Sequence, residues 1–139
     1  MIEYDIIQTR GFHNIVENDE VVGFQFCVRL KTYRGVWLSM LRPEDVYVDD
    51  ECFKKEDIIY RIEGMDYKYH ELFEIGNVQM PNSKPATLII KKPGGLEQGY
   101  HNVKFCMREI MCYIPPRVNG DEAFAATPPK YEEKRMLIV

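Results

Sequence analysis

A chain of 139 residues is long enough to bury one apolar core without disulfides or metals, and short for two domains. Its 45% hydrophobic and 29% charged residues belong to an ordinary globular protein, and no apolar run approaches the roughly 20 residues that span a bilayer. The net charge of −4, with both signs interspersed, argues against the basic surplus or stripe of a nucleic-acid binder. Met1-Ile2-Glu3-Tyr4-Asp5 lacks the positive and apolar regions of a signal peptide, so the expected location is the cytoplasm.

In chain order, residues 12–17 read as a short strand, and Asn18-Asp19-Glu20 supplies the turn chemistry of a hairpin. The clearest signal follows at residues 22–31. Val22, Phe24, Phe26, Val28 and Leu30 share one parity and mainly small or polar residues the other, the period-2 pattern of a half-buried strand. Further strands are predicted at residues 36–41, 46–48, 58–62 and 87–91, with breaks at Arg42-Pro43, Asp49-Asp50, Gly64 and Pro93-Gly94-Gly95. Residues 67–75 fit a short helix or a strand. The longest predicted strand, 101–114, is apolar on both faces toward its end, which calls for cover by a loop or by another protein. Short strands separated by frequent turns predict an all-β fold, a single antiparallel β-sandwich over residues 1–116. Residues 117–139 read as an extended C-terminal tail, punctuated by Asn119-Gly120 and Pro128-Pro129 and ending in the apolar run Met136, Leu137, Ile138 and Val139. That end is expected to dock, on its own domain or on a partner.

The residues that could carry chemistry are scattered. His13, His70 and His101 form no metal-binding spacing, and the bland reading of His101 as a hydrogen-bonded structural histidine is favoured over a catalytic base. No nucleophile elbow, P-loop or dinucleotide fingerprint is present. Asp49, Asp50 and Glu51 fall at a turn, where carboxylates cap backbone groups. Cys27, Cys52, Cys106 and Cys112 read as free, mostly buried thiols. On one strand the last two would stand roughly 20 Å apart, too far to pair. No catalytic residue and no metal site are therefore assigned to this chain.

Tyr33-Arg34-Gly35-Val36-Trp37-Leu38-Ser39-Met40-Leu41-Arg42 differs from the rest. It gathers the only tryptophan, a tyrosine, two arginines and a methionine, a composition that interface cores favour. A tryptophan packed in the sandwich core is the equal alternative. Tyr33, Arg34, Gly35, Trp37, Leu38 and Arg42 are the candidate contact residues.

At this segment the sequence resembles the beta subunits of the bacterial C-glycoside deglycosidases. The likeness runs through Val22-Gly23-Phe24-Gln25-Phe26, Tyr33 to Ser39, Val46-Tyr47-Val48-Asp49-Asp50, Gly94-Gly95-Leu96, Gly99-Tyr100-His101 and Tyr113-Ile114-Pro115. At Asp49-Asp50 the family more often has Asp-Gly, so here the turn must form without that glycine. The resemblance implies an immunoglobulin-like or jelly-roll-like sandwich bound, in a hetero-oligomer, to an alpha subunit similar to TIM-barrel sugar isomerases, which carries a divalent metal, manganese in this reading. The implied reaction is an elimination that cleaves the carbon–carbon bond between a 3-oxo sugar and an aromatic, flavonoid-like aglycone. The competing expectations are a free-standing carbohydrate-binding sandwich using Trp37 and nearby tyrosines, and a small cupin-like metal enzyme whose histidines converge in a barrel.

Overall fold

The computed structural model describes residues 5–32, 34–110, 114–115 and 119–139. The chain begins with the predicted hairpin, lengthened at its start: β1 (Ile7–Glu17) and β2 (Glu20–Val28). There follow β3 (Val36–Trp37), β4 (Leu41–Pro43), β5 (Val46–Val48), β6 (Glu51–Phe53), β7 (Ile58–Ile62) and β8 (Met65–Lys68). After the single helical turn α1 (Tyr69–Leu72) come β9 (Gln79–Met80), β10 (Ala86–Lys91), β11 (Gly99–Phe105), β12 (Met107–Glu109), α2 (Asp121–Ala126) and β13 (Glu132–Ile138). Two antiparallel sheets, ordered β1-β2-β10-β7-β8 and β13-β11-β5-β6, carry the fold, with the short pairs β12-β4 and β3-β9 beside them. This is an all-β, sandwich-like architecture of open sheets.

The alternating pattern of β2 explains the sheet packing. Phe24, Phe26 and Val28 point inward with Leu88 and Ile90 of β10 and Ile58, Tyr60 and Ile62 of β7, against Val103 and Phe105 of β11, Val46 and Val48 of β5, and Met136 and Ile138 of β13. Phe26 meets Phe105 edge to face at 5.9 Å, and Phe24 meets Phe53 at 5.2 Å. Each such side chain contributes about 1.5–3 kcal/mol when fully buried, so this one layer dominates stability.

Three two-residue hairpin turns set the registers. Asn18-Asp19, Asp49-Asp50 and Glu63-Gly64 all have positive φ at both positions, the geometry that matches the right-handed twist of the flanking strands. Asp50 adopts φ +70° without being glycine, so the Asp49-Asp50 turn forms as the sequence requires. Asp49 compensates by anchoring the turn. Its carboxylate accepts the Asn102 backbone N–H at 2.9 Å and meets the His101 ring at 2.5 Å.

Several predicted elements differ in detail. Residues 36–41 do not form one strand. Leu38–Met40 is a 3-10 turn, because the Leu38 and Ser39 N–H groups donate to the Val78 and Ile75 carbonyls rather than to a strand partner. The long strand predicted at 101–114 breaks at Cys106, whose carbonyl accepts the Glu44 N–H at 2.9 Å. β11 pairs with β5 before that point and β12 with β4 after it, so the two antiparallel segments turn a corner together. Residues 111–113 lie outside the described residues. The stretch left open at 67–75 holds the end of β8 and then α1.

The tail contains a short helix, α2, and an added strand. β13 pairs with β11 over its whole length, from Gly99↔Ile138 to Phe105↔Glu132. At its start the Glu132 carboxylate accepts the Ile6 and Ile7 N–H groups at 3.2 and 2.6 Å, while Lys134 Nζ donates to the Ile7 carbonyl at 3.2 Å. These side chains link the exposed edges of the two sheets where β1 and β13 meet.

Gly23 marks the closest approach within the large sheet, because a Cβ there would stand 2.1 Å from the Ile90 carbonyl oxygen on β10. Gly23→Ala is expected to force the strands apart and cost about 1–3 kcal/mol, read as a lower denaturation midpoint in urea. An unchanged midpoint would contradict this packing.

Candidate functional site

The candidate contact segment enters the fold at Arg34 and Gly35, with Tyr33 outside the described residues. Strand alternation along β3 buries Val36 and turns Trp37 outward, leaving the indole 43% exposed, before the 3-10 turn returns Leu38 to the core. The sandwich core is thus built without its tryptophan. The Trp37 backbone is paired with Gln79. Arg34 is exposed and Gly35 half-buried, whereas Leu38 is fully buried and structural. Near the C-terminus, Met136 and Ile138 of β13 fill the core, while Leu137 and, after the strand, Val139 are exposed.

Arg42 is drawn into a different group. It donates from Nη1 to the Ser39 and Leu41 carbonyls at 2.6 and 2.8 Å, lies 4.4 Å from the centre of the Phe73 ring, and pairs with Asp121 of α2 at 2.6 Å. That hydrogen bond holds the Asp121 carboxyl below its usual range. Arg108 of β12 faces the same cleft. It donates to Glu44 at 3.0 Å and to the Thr127 carbonyl at 3.0 Å, and stacks 4.7 Å from the Phe124 ring. Lys55, from the turn between β6 and β7, approaches Glu44 at 3.8 Å and the Tyr69 ring at 5.6 Å. Together these groups line a cleft of about 250 Å3. Glu109, at the end of β12, has its carboxyl pushed up by burial.

Sequence reasoning placed Arg42 at a contact surface but missed Glu44, Lys55, Arg108 and Asp121. They come from four separate segments, with no local signal that joins them. The corner at Cys106 brings Arg108 beside Glu44.

His101 is a satisfied structural group. Its Nδ1 lies 2.5 Å from Asp49, its Nε2 lies 2.6 Å from the Glu97 carbonyl, and its ring meets Phe12 edge-on. Both partners are acceptors, an arrangement that favours the protonated ring and engages both of its nitrogens. Burial opposes that charge, but the Glu97 carbonyl and the Asp49 carboxylate outweigh it and hold the pKa above its ordinary value.

Among the thiols, Cys106 is buried, Cys27 half-buried and Cys52 exposed, against the expectation of mostly buried cysteines, because Cys52 lies on the outer face of the edge strand β6. Cys112 lies outside the described residues. Burial pushes the Cys106 thiol up, away from reactive thiolate character. Among the described residues no group of three His, Cys, Asp or Glu side chains converges to hold a metal ion, and no helix is long and apolar enough to cross a membrane.

The profile of the C-glycoside deglycosidase beta subunit family matches residues 2–113. The C-glycoside deglycosidase beta subunit of Eubacterium cellulosolvens is 37% identical over 147 aligned positions, which cover 99% of this chain and all of that protein. The chain belongs to the C-glycoside deglycosidase beta subunit family. Within a member of that family, the Asp49–His101–Glu97 clasp ties the β5–β6 turn and the loop before β11 to the sandwich.

The clasp carries a pH signature. A raised His101 pKa means its contribution is full below the ordinary value of about 6.5 and is lost as pH rises through the raised folded value. Burial raises the Asp49 pKa, but the Asn102 N–H and His101 lower it by more. Its contribution is therefore present above about 3.9 and lost as pH falls further. The thermal midpoint is expected to decline above neutral pH, and His101→Gln should flatten that decline. An NMR titration placing the His101 pKa at or below its ordinary value would refute the clasp.

Proposed function

We propose that this chain is the accessory subunit of an enzyme complex that cleaves C-glycosides, and that its exposed Trp37 segment binds the catalytic partner. The supporting observation is the 37% identity along 99% of the chain to a protein named as a beta subunit. A beta subunit is one part of a hetero-oligomeric enzyme, so a partner chain is implied. In this proposal the partner is a TIM-barrel alpha subunit resembling sugar isomerases.

The proposed reaction is an elimination. A 3-oxo group on the sugar acidifies the C2–H. Removal of that proton gives an enolate, protonation of the aromatic carbon makes the aglycone a leaving group, and the bond between sugar and ring breaks. A divalent metal, manganese in this proposal, would belong to the alpha subunit and would supply Lewis-acid stabilisation of negative charge on the oxidised sugar. No step is routed through a metal on this chain.

What this chain supplies is surface. Trp37 stands between two buried neighbours, Val36 and Leu38, on a strand pair fixed by the core, so it presents a rigid aromatic anchor. Arg34, three residues earlier in the chain, is also exposed. Burying a preorganised tryptophan at an interface is worth about 2 kcal/mol or more by truncation.

Co-expression with the sugar-isomerase-like product of a neighbouring gene is expected to give a complex that co-elutes in size-exclusion chromatography. Only that complex should consume a 3-oxo C-glycoside. Failure to co-elute would overturn the proposal, and sugar binding by the isolated chain would favour a free-standing carbohydrate-binding module instead. Trp37→Ala should weaken association about tenfold or more while leaving the thermal midpoint of the isolated chain nearly unchanged.

A further inference from the structure

The cleft walled by Tyr69 of α1 and Phe124 of α2 has more positive charge and more hydrogen-bond donors than it can use. Among the described residues that line it, Arg42, Lys55 and Arg108 outnumber the acids Glu44 and Asp121 by one. Glu44 is shared. Its Oε1 accepts both bonds from Arg108, at 3.0 and 3.3 Å, and its Oε2 lies 3.8 Å from Lys55, beyond hydrogen-bond range. Of the five N–H groups of Arg108, two go to Glu44 and one to the Thr127 carbonyl. The arginines are recessed, each with only 16% of its side chain exposed, so these donors sit in a low, half-dry site where an anion gains more than at an open surface.

The wall formed by α2 is itself lightly held. The helix has six residues, none buried, and no side-chain cap at its start, well below the roughly 12 residues an isolated helix needs. The Asp121 pair with Arg42, and the Thr127 and Phe124 contacts with Arg108, hold it in place. A second anion between the arginines and Lys55 would tighten the same clamp. At about 250 Å3 the space is smaller than the roughly 300–1,000 Å3 of a pocket for a drug-sized ligand such as an aromatic glycoside, but it admits one carboxylate side chain.

We infer that this cleft receives an acidic side chain of the catalytic partner subunit, so that a charge contact adds to the Trp37 anchor. This rests on the subunit reading above and deepens it. Arg42 shares a continuous stretch with the anchor, since its guanidinium donates to the Ser39 carbonyl two residues after Trp37.

Lys55 is the residue to test, because among the described residues its side chain makes the 3.8 Å approach to Glu44 and the 5.6 Å approach to Tyr69 and no hydrogen bond. In the co-purified complex, Lys55→Glu should weaken subunit association about tenfold or more, Lys55→Gln less so, and Lys55→Arg hardly at all. Association of the wild-type pair should weaken between about 0.05 M and about 0.5 M salt, and that dependence should shrink in Lys55→Gln. Equal affinity of wild type and Lys55→Glu at low salt would overturn the inference while leaving the subunit reading intact. No association of the wild-type pair at any salt would overturn both.

Discussion

Phe26 and Phe105 meet edge to face across the interior, and the rest of the chain is arranged so that their two strands can face each other without water. β2 lies second in one sheet and β11 second in the other, each flanked by strands that extend the same apolar layer. The seal depends on the two ends of the chain. β13 comes last in sequence yet provides the outer neighbour of β11, and its Glu132 and Lys134 satisfy the backbone groups at the start of β1. An open edge would leave those N–H groups as a template for unwanted pairing, and charged side chains are the usual remedy.

The corner at Glu44 and Cys106 links this core to the cationic cleft. Before the corner, β5 and β11 belong to the four-stranded sheet; beyond it, β4 and β12 continue as a separate two-stranded ribbon. The ribbon alternates in the same way, burying Leu41, Pro43 and Met107 and setting Arg42 and Arg108 on the opposite side. One bend therefore aims two arginines from distant parts of the sequence into the same cleft. The buried side of the ribbon fixes their backbones, and their stacking on Phe73 and Phe124 fixes their heads.

Local pattern made the hairpins and the central strands legible. Val46–Val48 and Ile58–Ile62 end where turn residues end them, and the parity of Phe24, Phe26 and Val28 is the parity of the core. What pattern alone missed was set by partners remote in sequence. Residues 38–40 curl into a 3-10 turn because carbonyls at 75 and 78 are there to receive them, and residues 101–109 bend because residue 44 binds Cys106. The tail could be read as apolar and in need of cover, but only the register with β11 decides that Met136 and Ile138, not Leu137 and Val139, enter the core. The site followed the same rule. Trp37 was visible as a compositional outlier, whereas the cleft had no linear signature because its charges meet only in three dimensions.

The distribution of satisfied and unsatisfied polar groups bears on what such a chain does. Catalytic groups must be left reactive, with a free lone pair or a perturbed proton waiting for substrate. Here the one histidine with a strongly ordered ring gives both nitrogens to acceptors, and among the described residues no buried side-chain nitrogen or oxygen lacks a partner. Spare donors remain in the Arg42–Arg108–Lys55 cleft, where the surplus is positive charge rather than a nucleophile or base. Surplus charge in a recessed site fits the proposed contact with an acidic group of an incoming chain. A rigid sandwich that commits its polar groups to its own turns, and leaves Trp37 exposed and a cationic cleft beside the β4–β12 ribbon, suits the proposed role of holding a partner in register.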